Sequence, residues 1–346
     1  MKISEYVSLG HPDKVADYIS EYILDRLIEQ DPKTRYALEV QIKDNFVTLG
    51  GEITTLAQSI DYTSWVRQAV EAIGYTKEYC EKWGKENTID PEALDVVMRI
   101  SQQSPDIAQG VDNQGWGDQG IMFGMAVNKP ETEYMPEDFY IAKELGQELY
   151  KCSKNGAEWG LDIKTQIVLD KFGYLEKVIV AAPCKEEDVE TLFDFVKDYC
   201  SKLSCVGEKE PEIIVNGTGA YIKHASIGDC GTTGRKLAVD FYGGNCNVGG
   251  GSPWTKDGSK ADLTLNLYAR KKALDYVKEH NVPYAKCGIG CCIGQKEIEI
   301  TIFDEHNNEL ESYKENKSAN EIIDIFGLKE PIFSYLCRDG LFTIVE

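Results

Sequence analysis

Charged residues in this chain of 346 residues fall beside glycines at a few places where a polyanion could be held. Gly10-His11-Pro12-Asp13-Lys14 precedes an apolar run of helical spacing. Free backbone N–H groups at a helix start would then lie beside an imidazole, a carboxylate and an ammonium. Asp162-Ile163-Lys164 puts a carboxylate and an ammonium on one face of an alternating, strand-like stretch. Asn216-Gly217-Thr218-Gly219 is a small loop ahead of Tyr221, and Gly228 to Lys236 (GDCGTTGRK) runs from glycines into two cations. Gly249 to Asp262 (GGGSPWTKDGSKAD) adds two lysines and two carboxylates before another helical pattern. Each has an ordinary reading as a capped helix start, a surface ion pair or a turn. Few turns, however, need triple glycine together with Lys256 and Lys260.

These residue types favour polyphosphate binding. Lys14, Lys164, Arg235, Lys236, Lys256 and Lys260 supply positive charge, while Asp13 and Asp262 are hard-oxygen candidates for Mg²⁺. The familiar phosphate motifs are absent: there is no GxxxxGK[ST], and GIGCCIG (Gly288 to Gly294) is not GxGxxG. No Ser-His-Asp or Cys-His arrangement has local support. With 58 acidic against 37 basic side chains the net charge is -21. A field of that sign opposes nucleic acid and anionic lipid, so neither is an expected partner. The 11 cysteines are odd in number and contain no CxxC pair, and there are only four histidines. They read as reduced, mostly buried thiols of a cytoplasmic protein rather than a disulfide framework or a zinc site. No apolar run approaches the ~18–20 residues that span a bilayer, and the N-terminus has no signal-like apolar region.

The elements that must hold these residues alternate along the chain. Val15, Ile19, Ile23 and Leu27 predict a helix after Pro12. Leu38, Val40 and Ile42 predict a strand that turns at Asp44-Asn45 into Phe46–Leu49. A helix around Trp65–Ile73 stops at Gly74, and Val96–Ile100 and Ile121–Val127 read as strands. Phe139–Tyr150 reads as helix, Leu161–Leu169 and Val178–Ala181 as strands, Val189–Leu203 as helix and Ile213–Val215 as strand. Leu237–Tyr242 is expected as a strand, Leu263–Val277 as a helix and Glu297–Phe303 as a strand. The pattern predicts an α+β protein with mixed or antiparallel sheets. The expected parts are an N-terminal module (1–100), a polar gating loop (101–117), a central module (118–224) and a C-terminal module (225–346), with modules that need not be continuous in sequence.

Taken together, GHPDKVADYISEYILD, LGGEITT, QQSPDIAQGVD, GDQGIMFGMA, LDIKTQI, NGTGAY, IGDCGTTGRKLAVDFYGG and GGGSPWTKDGSKAD occur in the order found in S-adenosylmethionine synthetases. The chain resembles that family from about Ser4 to past Ile293. The resemblance implies three similar β/α modules about a pseudo-threefold axis, and a homodimer or dimer of dimers with sites between subunits. It implies that ATP and L-methionine give S-adenosylmethionine by sulfur attack on the ribose C5′, followed by hydrolysis of bound tripolyphosphate. Two Mg²⁺ per site and K⁺ are the implied ions.

By motif, His11, Lys164, Arg235 and Lys256 would be catalytic. Lys14, Asp162, Tyr221, Asp229, Lys236 and Ser252 would join them in holding the nucleotide and its phosphates, with Tyr221 stacking on adenine. Glu52, Gln103, Asp229 and Lys260 would contact methionine; Asp13 and Asp262 would bind Mg²⁺, and Glu39 K⁺. The segment from Gln103 to about Gln114 matches the family's gating loop. This chain departs from the usual pattern at Trp116 (usually Ala), Tyr221 (usually Phe), NGTG (for NPTG) and SPWTKD (for an AFSGKD-like stretch). Two other readings are a catalytically silent regulatory relative and a different ATP-dependent transferase, such as a kinase, on the same scaffold.

Overall fold

The computed structural model describes residues 1–102 and 115–345, so Gln103 and most of the expected gating segment lie outside the described residues. The first unit contains β1 (Lys2–Val7), α1 (Pro12–Ile28), β2 (Arg35–Lys43), β3 (Phe46–Thr54), α2 (Tyr62–Ile73), α3 (Lys77–Trp83) and β4 (Asp95–Ser101). The second runs through β5 (Gly120–Val127), α4 (Glu137–Lys154), β6 (Lys164–Leu169), β7 (Leu175–Ala181), α5 (Val189–Ser201) and β8 (Glu212–Val215). The third comprises β9 (Gly231–Thr232), α6 (Ala261–His280), β10 (Tyr284–Cys291), β11 (Glu297–Phe303) and β12 (Glu309–Asn316). It is followed by α7 (Ala319–Phe326) and α8 (Phe333–Asp339).

Each unit starts strand–helix–strand–strand, but its first strand is given away. The sheets are ordered β9-β2-β3-β4, β1-β6-β7-β8 and β5-β10-β11-β12. Thus β1 pairs antiparallel with β6, β5 with β10, and β9 with β2. The exchange is cyclic. In the first two units a helical crossover makes the last strand parallel to its neighbour (β3 with β4, β7 with β8). In the third, β12 returns antiparallel directly from β11.

Local sequence explains most boundaries. Asp44, at φ 53, makes the β2–β3 turn, and Gly74, at φ 126, ends α2. Two expectations are corrected. Leu237–Tyr242 does not form a strand: Leu237–Asp240 is a helical turn, because Asp240 turns inward to a buried ammonium. Asp162 does not share a strand face with Lys164, since β6 begins only at Lys164.

Helix α1 lies at the centre. Val15, Ile19, Ile23 and Leu27 are fully buried, and so are Asp17, Ser20 and Glu21 on other faces. A helix covered all round must find partners for each polar side chain it carries. All 11 cysteines are free thiols. Among the described residues no helix is long and apolar enough to cross a membrane.

Candidate active site

Two motifs are zipped together at the start of α1. Ser8 N–H donates to the Ile163 carbonyl (2.9 Å), Ser8 Oγ donates to the Leu161 carbonyl (2.5 Å), and Ile163 N–H donates to Ser8 Oγ (3.0 Å). A Cβ on Gly10 would stand 2.3 Å from the Leu161 carbonyl oxygen, and one on Gly231 would stand 2.1 Å from that of Pro12. Only glycine lets the 161–164 and 228–236 segments approach the helix start so closely. GHPDK, LDIK and GDCGTTGRK therefore converge.

Helix α1 organises the loops through a row of acids at i, i+4 spacing: Asp13, Asp17, Glu21 and Asp25. Asp13 accepts from Thr232 N–H (2.9 Å), Asp17 from Gly234 N–H (2.9 Å) and Glu21 from Thr255 N–H (2.6 Å). Asp25 accepts from Phe333 and Ser334 N–H, both at 2.9 Å, at the start of α8. Burial pushes the Asp17 carboxyl up to about 7 and that of Glu21 well above the usual range. The i, i+4 spacing of the four acids is plain in the sequence, but the motifs imply a role for Asp13 alone.

His11 caps α1. Its Nδ1 accepts Asp13 N–H at 3.1 Å, so a neutral ring carries its proton on Nε2. Burial, helped by Lys236 and Lys164, lowers the His11 pKa to about 3, so the ring is neutral at pH 7. Lys236 Nζ lies 2.5 Å from Asp13, and Arg235 Nε lies 3.7 Å from the same carboxylate. Burial pushes the Asp13 carboxyl up, but the hydrogen bonds from Lys236 and Thr232 hold it below the ordinary range. Asp162 is buried; one oxygen accepts Ala225 N–H at 3.0 Å and the other has no hydrogen-bond partner among the described residues. Burial raises its carboxyl to about 6 despite the nearby Lys164. Lys164, Asp229 and Arg235 are exposed, and burial raises the Tyr221 phenol, which also feels Asp162.

A second cluster forms on the glycine-rich loop. Asp262, in the first turn of α6, accepts Gly251 N–H at 2.8 Å and pairs with Lys256 Nζ at 2.5 Å. Lys256 also donates to the Ser252 carbonyl at 3.0 Å, while Lys260 lies 3.6 Å from Asp257. Among the described residues no hydrogen bond or ion pair links Lys256 or Asp262 directly to His11, Asp13, Arg235 or Lys236. Glu39 bridges the two loops instead. One of its oxygens accepts from Thr233 Oγ1 and the other from Thr255 Oγ1, the latter at 3.1 Å. Thr255 sits at φ 72, a backbone conformation unusual for a β-branched residue. Its buried anchors on Glu21 and Glu39 hold it there.

Glu52 is exposed on β3, next to Ala37 and Ser101 on the flanking strands. Lys14 is the residue that geometry moves. It was expected to touch phosphate, but it is 4% exposed, with Nζ 3.1 Å from Asp17 and 2.6 Å from Asp240. Asp17, Glu21, Asp240 and Thr255 all belong to the site's framework and were missed.

Comparison with known proteins identifies the family and the fold. The S-adenosylmethionine synthetase N-terminal, central and C-terminal domain models match residues 1–105, 113–221 and 224–345. The chain belongs to the S-adenosylmethionine synthetase family. The S-adenosylmethionine synthase of Mesoplasma florum is 34% identical over 98% of this chain and 94% of its own. That of Oleidesulfovibrio alaskensis is 37% identical over 84% of this chain and 76% of its own. An unusual S-adenosylmethionine synthetase from Campylobacter jejuni has the same fold, with a TM-score of 0.88 and 30% identity over 98% of this chain and 94% of that one.

Proposed function

We propose that the chain is a methionine adenosyltransferase, joining ATP and L-methionine into S-adenosylmethionine and then hydrolysing the tripolyphosphate it displaces. The sulfur lone pair forms the S–C5′ bond as the C5′–O bond breaks, and tripolyphosphate leaves with the electron pair. Water then attacks a phosphorus of the bound tripolyphosphate to give phosphate and diphosphate. A thioether has no proton to lose, so the first step needs no general base. The observation that carries this reading is a buried His11 whose Nδ1 accepts Asp13 N–H, leaving Nε2–H as its donor, close to Lys164 and Lys236, with Arg235 on the shared Asp13 carboxylate. Such preorganised donors stabilise charge growing on a leaving oxygen, typically by ~3–4 kcal/mol each. Alignment of two bound substrates supplies up to ~7–11 kcal/mol more.

The remaining assignments follow the same reading. Asp162, with one carboxylate oxygen unpartnered among the described residues, suits a ribose hydroxyl, and Tyr221 suits the base. Glu52, Gln103, Asp229 and Lys260 would recognise the amino acid. Among the described residues no group of three His, Cys, Asp or Glu side chains could hold a metal alone. Asp13 and Asp262 each offer a single carboxylate, now neutralised by a lysine. That fits Mg²⁺, which commonly takes one or two carboxylates plus substrate phosphates and water. Bound there, Mg²⁺ would neutralise polyphosphate charge. Glu39 with the Thr233 and Thr255 hydroxyls forms an all-oxygen set that suits K⁺, and among the described residues it makes no ion pair. A homodimer, or a dimer of dimers, in which each site is completed by a second copy, belongs to this reading on the family likeness alone.

The test is incubation of ATP, methionine, Mg²⁺ and K⁺ with the purified protein. A sulfonium product with phosphate and diphosphate is expected. ADP would indicate a kinase, and absence of turnover a silent subunit; either result overturns the proposal.

A further inference from the structure

The lysine of GHPDK is buried against two carboxylates and an indole, and its partners lie on both cation-bearing loops. Lys14 Nζ is 3.1 Å from Asp17 Oδ2, 2.6 Å from Asp240 Oδ1 and 4.6 Å from the centroid of the Trp254 ring. Asp17 uses its other oxygen on Gly234 N–H, at 2.9 Å, one residue before Arg235. Asp240 ends the helical turn that starts directly after Lys236, and its N–H donates to the Lys236 carbonyl at 2.9 Å. Trp254 stands two residues before Lys256, and is 2% exposed. We infer that Lys14 is a positioning residue. Its ammonium anchors both ends of the Gly234–Asp240 segment, and with it the placing of Arg235 and Lys236, while its charge seats the Trp254 ring that leads to Lys256.

Lys14 is held where it is by the partners it would have to leave. Two of its three N–H bonds go to carboxylates that are 0% and 9% exposed, and the aromatic face lies against the ammonium as well. Moving Nζ to a phosphate would leave the buried Asp17 and Asp240 carboxyl groups without their counter-charge, at the cost of protonation or an unpaired buried charge. A direct phosphate contact would therefore dismantle the support of the two cations better placed to make one. Trp254 is also one of the positions at which this chain departs from the usual SPWTKD counterpart, so the lysine–indole contact belongs to this sequence.

The inference rests on the proposed polyphosphate chemistry, and the experiment separates the two. Tripolyphosphate binding is measured by calorimetry with Mg²⁺, and kcat and both KM values are measured for wild type, Lys14→Met, Asp240→Asn and the double variant. Lys14→Met should weaken tripolyphosphate and raise the KM for ATP by roughly 10–100-fold, the size of effect seen when a residue that orients a metal ligand is lost, while the KM for methionine changes far less. Asp240→Asn should shift the same two quantities in the same direction. The double variant should be no worse than Lys14→Met, because both act through one contact. A crystal of the wild-type protein with tripolyphosphate should keep Nζ on Asp17 and Asp240. Unchanged tripolyphosphate affinity in Asp240→Asn, equal losses for both substrates, or Nζ on a phosphate oxygen would overturn the inference, even if Lys14→Met fails to fold. Failure of the proposed function appears instead in the wild-type protein, as tripolyphosphate bound without any sulfonium product.

Discussion

His11 offers the sharpest separation of structure from catalysis, because its two ring nitrogens do different work. Nδ1 caps α1 by accepting Asp13 N–H, and Nε2–H is left as a donor. Asparagine is among the best N-cap residues, so His11→Asn keeps an acceptor for the cap and should change stability by no more than ~0.5 kcal/mol. Its shorter amide does not reach where Nε2 did. Losing one preorganised donor to a developing oxyanion costs ~2.7–4 kcal/mol, which is a ~10²–10³-fold fall in kcat. The KM values should change little, since the donor acts mainly on charge that appears in the transition state. His11→Ala should show the same kcat loss plus ~1 kcal/mol of stability from the missing cap. The assay is single-turnover formation of labelled S-adenosylmethionine, with thermal unfolding in parallel. Burial and neighbouring lysines lower the His11 pKa from 6.5 to about 3, so the protonated ring is disfavoured only in the fold. Any stability cost therefore grows as pH falls from 6.5 towards 3, and the rate should be flat through 6.5 as far as this group is concerned. A His11→Asn enzyme within threefold of wild-type kcat would refute the reasoning. So would a wild-type limb near pH 6.5 that disappears in the variant.

Three further outcomes are expected. Lys164→Ala should lower kcat at least ~10²-fold; near-wild-type turnover would remove Lys164 from the site. Asp162, raised by burial from 3.8 to about 6, should give kcat/KM for ATP an acidic limb near pH 6, since only the ionised carboxylate accepts two hydrogen bonds freely. Because its folded pKa lies above the unfolded value, its stability contribution is best below 3.8 and declines as pH rises to about 6. Asp162→Asn should lose the limb, and a limb that survives would contradict the assignment. Glu39→Gln should reduce activation by KCl over tetramethylammonium chloride by ~10-fold or more, whereas an unchanged K⁺ titration would show that K⁺ binds elsewhere.

Much of this arrangement was legible in the sequence, and the exceptions have physical causes. The α1 periodicity, the β2–β3 hairpin and the cation-bearing loops are local signals, and local signals survive in a single sequence. The apolar run Leu237–Tyr242 looked like a strand because its pattern says nothing about Lys14, 226 residues away in sequence, which pulls Asp240 inward. Burial of Lys14 was equally invisible: a lysine beside a glycine-rich turn looks the same whether it faces ligand or core. Strand β12 carries no apolar alternation to read, because Glu309–Asn316 is mostly exposed and charged, as edge strands often are. GIGCCIG, set aside as a failed nucleotide motif, is simply the end of β10 and its following turn. The acidic stripe on α1 was readable as spacing, but its partners are backbone N–H groups, which no side-chain pattern announces.

The cyclic trading of first strands has a consequence for how such a molecule is made. During synthesis β5 leaves the ribosome long before Tyr284–Cys291, the neighbour that will cover its edge, exists. Helix α6, which packs on β5, also comes later. The second unit thus emerges with an open hydrogen-bonding edge, and the third cannot close without a piece of the second. Dissecting the gene at module boundaries would give fragments each deprived of an edge strand, and the intact chain should melt as one body.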